Sequence, residues 1–184
     1  MTVPGGRGGG AGAIALLAIL LYVLVAGDSG EPGDRGDPVD DRPPGDGIEA
    51  HGTVSARVVR VVDGDTIEVS IDGTTDDVRY IGVDTPETVK PGEPVQCYGP
   101  QASEFNHELV DGRTVRLEFD AELRDVYGRL LAYVYAGHRF VNEELIRGGY
   151  ARTLEIEPNT SRAAELAAVE TRAGEAGEGL WSAC

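Results

Sequence analysis

Residues 53–73 read TVSARVVRVVDGDTIEVSIDG. The first ten, Thr53 to Val62, are rich in β-branched side chains, which favour extended backbone. Ile67, Val69 and Ile71 then alternate with Glu68 and Ser70, the two-residue period of a strand with one face buried. Asp72-Gly73 follows as a hairpin turn, because both types tolerate positive φ. The stretch therefore predicts two strands and the start of a third, and a third strand is expected from about Asp77 to Val83.

Outward from that hairpin the chain keeps the same grammar. After the Pro- and Gly-rich loop Thr88 to Gln96, Pro100 suits the first turn of a helix carrying Ala102, Phe105 and Leu109 on one face. Asp111-Gly112 ends it. Val115, Leu117 and Phe119 alternate with polar residues as strand four, and Leu130 to Ala136 makes strand five. A short helix, Val141 to Arg147, is closed by Gly148-Gly149, and an alanine-rich helix runs from about Ser161 to Ala173. Leu180-Trp181 is expected to pack the end of the chain against the domain. Five strands with one helix between the third and fourth is the order of a five-stranded Greek-key barrel, the oligonucleotide-binding (OB) fold. The expected class is thus α+β, a β-barrel with three helices over residues 52–184, and no internal repeat is visible.

The first 51 residues read differently. Residues 1–10 are a glycine-rich flank with one charge, Arg7. Residues 11–26, AGAIALLAILLYVLVA, are 16 uncharged residues, short for a spanning helix and near the upper limit of a signal-peptide core. Either an uncleaved membrane anchor or a cleaved signal fits, and both place the domain outside the cell. Residues 27–51 are rich in Gly, Pro and Asp, the composition of a disordered acidic linker.

The net charge is -16. Residues 1–51 hold three arginines against eight acids, so residues 52–184 keep 13 basic against 24 acidic groups and a net of -11. Of all the basic residues only Lys90 is a lysine. Such a surface suits concentrated salt, where the Debye length falls to about 3 Å at 1 M and long-range repulsion of a polyanion vanishes; an ordinary acidic secreted protein is the alternative. Two cysteines, Cys97 and Cys184, in an exported chain make a disulfide plausible. Two cysteines without histidine at ligand spacing do not make a zinc site, and His51, His107 and His138 are scattered and expected to face solvent.

Three runs carry chemistry: Asp63-Gly64-Asp65-Thr66, Val83-Asp84-Thr85-Pro86-Glu87-Thr88 and Asp125-Val126-Tyr127-Gly128-Arg129. Converging carboxylates repel one another and arginine is a poor core residue. A chain that keeps both near strand ends commonly needs them for a cation and a phosphate. Each run has a plainer reading in isolation: Asp-Gly-Asp as a turn, Glu after Pro as a loop residue, and a strand arginine as part of a solvated face.

Taken together the runs resemble the staphylococcal nuclease (thermonuclease) family. The resemblance extends through Arg79-Tyr80-Ile81-Gly82-Val83-Asp84, Tyr98-Gly99-Pro100, Leu131-Ala132-Tyr133-Val134-Tyr135, Val141-Asn142-Glu143 and Gly179-Leu180-Trp181. It implies that Asp65, Asp84 and the carbonyl of Thr85 hold a Ca²⁺ ion, with Asp63 in support. It further implies that Glu87 orients or activates water, that Arg79 and Arg129 bind the phosphate, and that Tyr127 lies near the phosphate or sugar, with Asp125 structural. The implied activity is endonucleolytic hydrolysis of DNA and RNA, with low sequence specificity and 3′-phosphate ends, by a monomer attached to a membrane through residues 11–26 if these are retained.

The chain departs from that pattern in three places. Leu154 and Ile156 fall where well-known members have tyrosines that help hold the terminal base, and Val126 replaces a basic residue beside the phosphate. The loop Val89 to Gln96 has only Lys90 as a basic residue, with Glu93 acidic. A non-catalytic nucleic-acid-binding module of the same fold is the alternative, but such modules commonly lose the acidic or arginine residues, and all are present here.

Overall fold

The computed structural model describes residues 48–88, 92 and 94–184. Residues 1–47, with the apolar segment 11–26 and nearly all of the linker, lie outside the described residues, as do Lys90 and Glu93.

Strands β1 (Thr53–Val61) and β2 (Thr66–Ile71) pair antiparallel, and β3 (Thr74–Tyr80) follows β2 after only two residues. Those two, Asp72 and Gly73, both have positive φ, 50° and 84°, as a tight hairpin turn requires. β3 thus begins earlier than expected, because Thr74 to Asp76 continue the ladder opposite Ile71 to Val69. It also stops earlier. Gly82 has φ +75°, and a Cβ there would lie 2.6 Å from Leu166 Cδ1, so the chain turns out of the sheet at Ile81. The expected third strand is therefore two, β3 and the short β4 (Gly82–Asp84).

Helix α1 (Gly99–Val110) carries Pro100 in its first turn. β5 (Thr114–Glu118) pairs with β1, and β6 (Leu130–Ala136) pairs antiparallel with β5 and parallel with β3. The last pairing closes β1, β2, β3, β5 and β6 into a five-stranded barrel, the expected fold. A β-bulge between Val58 and Arg60 leaves Val59 unpaired and bends β1 as closure demands. Two-residue β7 (Arg139–Phe140) extends the sheet from β6 and runs into α2 (Val141–Arg147). β8 (Arg152–Leu154) pairs with β4, α3 (Ala163–Ala176) stops at Gly177 with φ +68°, and the single turn α4 (Leu180–Ala183) ends the chain. Among the described residues there are four helices rather than the three expected, none long and apolar enough to cross a membrane.

The barrel interior is apolar. Ile67, Val69, Val78, Leu117, Leu130, Ala132 and Val134 are fully buried, and α2 and α3 cover one end with Leu145, Ile146 and Leu166. At about 25 cal/mol per Å² such burial supplies most of the folding drive. Three of the buried polar side chains pair with one another or with the backbone. Tyr80 Oη donates to Asn106 Oδ1 at 2.9 Å, and Asn142 Nδ2 donates to the Ile81 carbonyl at 2.8 Å while its Oδ1 accepts from Val134 N–H. These bonds fix the β3–β4 bend against α1 and α2, and β4 ends on Asp84.

Candidate functional site

Asp65 ends the turn between β1 and β2. Its carbonyl accepts from Tyr80 N–H at 3.0 Å, and its own N–H donates to Asp63 Oδ1 at 3.0 Å. From α1, Asn106 Nδ2 reaches the Asp63 carbonyl at 2.9 Å and pins the same turn. Gly64 is required because a Cβ there would lie 2.6 Å from Thr85 Oγ1. Thr85 uses that space to donate twice to Asp65 Oδ2, from N–H at 2.7 Å and from Oγ1 at 2.8 Å. Asp65 is thereby held from one side, and its Oδ1 faces Arg79.

Arg79, on β3, places Nη1 2.6 Å from Asp65 Oδ1 and Nη2 3.3 Å from Asp84 Oδ1. The Nη1 contact is close but off the hydrogen-bond axis, and this buried nitrogen has no aligned acceptor. A single guanidinium thus sits among Asp63, Asp65 and Asp84. Burial, then the charge of Asp65, pushes the Asp63 carboxyl up to about 6. Burial also raises Asp84 despite Arg79, with Asp65 and Glu87 adding to the effect. The carboxylates outnumber the positive charge, and every donor is oxygen. That set fits a hard divalent cation better than a soft one. Among the described residues no three of His, Cys, Asp and Glu already converge at metal-binding distance, so Asp65 and Asp84 would need the Thr85 carbonyl and further ligands.

Glu87 lies just beyond, between β4 and α1. Its Oε1 accepts from Thr88 N–H at 2.8 Å, and its main chain pairs with Gln96. A second group is built on the turn before β6. Asp125 Oδ1 accepts from Tyr127 N–H and Arg129 N–H, and Oδ2 takes Nε and Nη2 of Arg129, both at 2.7 Å. Arg124 stiffens that turn by donating to Asp76 and to the Gly128 carbonyl. Tyr127 is 82% exposed, with the Arg129 guanidinium 5.4 Å from its ring centre.

Arg79, Tyr127 and Arg129 line one cavity of about 340 Å³, floored by Tyr80 and Val83 and walled by Leu154 and Ile156. Val126, Leu154 and Ile156 show 93%, 37% and 61% of their surface, so this end of the site is open and aliphatic. Asp84 and Thr85 line a second cavity with Gln96, Arg152, Cys97 and Cys184, the last two joined by a disulfide. The acidic cluster and the two arginines therefore come together around β3. Glu87 approaches from the loop side and lines neither cavity.

The sequence reading gave Gln96 and Asn106 no role, and it met Asn142 only within Val141-Asn142-Glu143. The two asparagines had a signal, since each is a polar residue on an otherwise apolar helix face, and both are 0% exposed. Gln96 had none, because its partner is nine residues away across a loop.

Residues 77–183 match the family model described as staphylococcal nuclease homologue. The chain is 44% identical over 126 residues to the thermonuclease of Staphylococcus hyicus, covering 68% of this chain and 75% of that protein. To the thermonuclease of Staphylococcus intermedius it is 52% identical over 102 residues, 55% of this chain and 61% of that protein. To endonuclease YncB of Bacillus subtilis (strain 168) it is 46% identical over 131 residues, 70% of this chain and 62% of that protein.

Proposed function

The chain belongs to the staphylococcal nuclease family, and from that premise we propose that it is a Ca²⁺-dependent endonuclease hydrolysing phosphodiester bonds of DNA, RNA or both to leave 3′-phosphate ends. The observation that carries the reading is Arg79, shared between Asp65 and Asp84 while lining one cavity with Arg129. Cation-binding and phosphate-binding groups meet at a single side chain.

Asp65, Asp84 and the Thr85 carbonyl are the residues that would hold the ion. The chemistry a Ca²⁺ held there supplies is neutralisation of the carboxylate excess and polarisation of a phosphate oxygen. The remaining work falls to the protein. Arg79 and Arg129 donate hydrogen bonds to the non-bridging oxygens and stabilise the charge that grows as the in-line transition state forms. Asp125 engages the Nε–Nη2 edge of Arg129 and so sets the guanidinium plane, while Nη1 has no part in that pair. Glu87 takes a proton from the attacking water. Tyr127 offers a face for sugar or base, and the aliphatic wall of Leu154 and Ile156 reads no base edges, in keeping with low sequence specificity.

The disulfide between Cys97 and Cys184 supports a site of action outside reducing compartments. The protein would act at the extracellular face, anchored by residues 11–26 or released after cleavage there. The acidic surface supports activity that persists in concentrated salt.

The test is cleavage of single-stranded DNA and RNA by the full chain, with Ca²⁺ or with EGTA, alongside Glu87→Gln and Arg129→Ala, and with end-group analysis of the products. Calcium-dependent cleavage to 3′-phosphates that collapses in both variants is the expected result. Binding without cleavage under every metal and salt condition would replace the enzyme with a binding module.

A further inference from the structure

Glu87 stands on a segment without regular secondary structure, Thr85 to Thr88, where a carboxylate can work only if the backbone is braced. The brace is Gln96. Gln96 N–H donates to the Glu87 carbonyl at 2.9 Å, and Glu87 N–H donates to Gln96 Oε1 at 3.1 Å. The two bonds grip both main-chain groups of one residue from another nine positions away. Below them the loop is pressed onto the first turn of α1. A Cβ on Gly99 would lie 2.7 Å from Thr88 Cγ2, 2.9 Å from the Pro86 carbonyl oxygen and 3.1 Å from that of Glu87.

Gln96 is itself held from a segment distant in sequence. Gly99 N–H donates to its carbonyl at 3.1 Å, and the next residue, Cys97, is bonded to Cys184 immediately after α4. That helix is firmly seated: Leu180 N–H donates to the Gly149 carbonyl at 2.8 Å, and the two segments pass so closely that a Cβ on Gly149 would collide with the Glu178 carbonyl oxygen. Arg152 covers the Trp181 ring at 4.2 Å.

We propose that Gln96 is a positioning residue for Glu87 and that the Cys97–Cys184 disulfide anchors it, so that Cys184, 87 positions beyond Cys97, helps to set the geometry of catalysis. The proposal rests on the reading of Glu87 as the group that activates water. It separates turnover from binding. Arg79 and Arg129 stand on the barrel and on the turn before β6, outside the clamp, so losing the clamp moves Glu87 and leaves the phosphate-binding groups in place. A misplacement of about 1 Å can cost on the order of 100-fold in rate.

The experiment measures kcat and KM for Ca²⁺-dependent cleavage of single-stranded DNA by the full chain and its Gln96→Met, Gln96→Glu, Cys184→Ser and Glu87→Gln variants. Gln96→Met keeps the length and the disulfide but loses the acceptor, whereas Gln96→Glu retains an acceptor. Gln96→Met and Cys184→Ser are each expected to lower kcat by about tenfold or more with KM nearly constant. Gln96→Glu should recover most of that loss, and dithiothreitol should reproduce the Cys184→Ser effect reversibly. In a Glu87→Gln background, Gln96→Met should add no further loss. Wild-type kcat in Gln96→Met, beside a Glu87→Gln protein that has collapsed, overturns the clamp and leaves the reading of Glu87 standing. A Glu87→Gln protein as active as wild type overturns that reading instead. Full additivity of the two losses assigns Gln96 a general structural role and also overturns the proposal.

Discussion

Arg79 and Asp65 meet at 2.6 Å, Nη1 to Oδ1, in an orientation that gives Nη1 no aligned acceptor. The other carboxylate oxygen of Asp65 is already committed to the N–H and hydroxyl of Thr85. The arginine is thus drawn in by charge rather than seated by hydrogen bonding on that side, and its fork remains suited to a phosphate presented from the cavity it lines.

Arg79→Lys keeps the charge but loses the planar fork. It is expected to lower kcat for single-stranded DNA by about 100-fold, the usual cost of removing one transition-state donor. Arg79→Ala should lose at least as much activity. It should also destabilise the protein by about 3 kcal/mol in EGTA, because Asp65, with a side chain only 8% exposed, then loses the guanidinium beside it. Steady-state kinetics and chemical denaturation in EGTA check both.

Ca²⁺ binding should be visible without any turnover. A ligand at about 100 times its Kd stabilises the folded state by about 2.7 kcal/mol, which raises Tm by several degrees in a domain of this size. Asp84→Asn should abolish the Ca²⁺-dependent rise while leaving Tm in EGTA nearly unchanged, since the Asp84 side chain is 57% exposed and its ion pair with Arg79 is long, at 3.3 Å. A Ca²⁺-dependent rise that survives in Asp84→Asn would remove this residue from the metal site.

Ile156 is 61% exposed on the rim of the cavity holding Arg79 and Arg129. An aromatic ring there would offer a stacking face worth about 1 kcal/mol or more per base. Ile156→Tyr is therefore expected to lower KM for single-stranded DNA by about fivefold with little change in kcat, since the substitution leaves the carboxylates and the arginines themselves unaltered. A KM that stays the same would place the substrate's bases elsewhere.

The barrel was legible because its strands alternate. Ile67, Val69 and Ile71 point inward between polar neighbours, and the Asp-Gly turns mark where the chain reverses. The break between β3 and β4 was not, since Gly82 within Tyr80-Ile-Gly-Val83 looks like a strand glycine until Leu166 is seen to fill the space a Cβ would need. β8 is three residues long and has no period to read; it exists because β4, once bent out of the barrel, needs a partner. At the site, residue types and their short-range order were readable in Asp63-Gly64-Asp65 and Asp84-Thr85. The sharing of Arg79 between two carboxylates and the pairing of Gln96 with Glu87 arise only from tertiary approach.

Asp120 predicts an acid-sensitive brace away from the site. It is 4% exposed; burial pushes its carboxyl up, but hydrogen bonds from Ser161, Tyr133 and Ala121 outweigh that and hold it below the usual carboxylate range. A folded-state value below the unfolded one contributes stability above the unfolded pKa of about 4, and that stability is lost as pH falls through the folded value. Asp120→Asn should therefore destabilise the protein by about 2 kcal/mol at neutral pH. The gap to wild type should close as the solution is acidified below about pH 4. Urea denaturation at several pH values tests this, and a gap that is constant with pH would mean that the carboxylate charge contributes nothing.

Salt should affect this nuclease less than it affects a basic one. Residues 52–184 carry a net charge of -11, so a polyanion is repelled at low ionic strength and the repulsion fades as salt is added. Opposing this, each phosphate contact releases counterions, with a log–log slope of about -0.7 per contact for single strands. Arg79 and Arg129 alone would give a slope near -1.4, or about 25-fold per decade of salt, and relief of repulsion offsets part of it. The expected fall in kcat/KM between about 0.1 and 1 M NaCl is therefore less than about tenfold, whereas a protein making six to ten contacts loses on the order of 1,000-fold or more over a narrower range. A loss of that larger size would mean that the substrate is held by many more cationic contacts than these two arginines, and would end the case for an acidic surface adapted to concentrated salt.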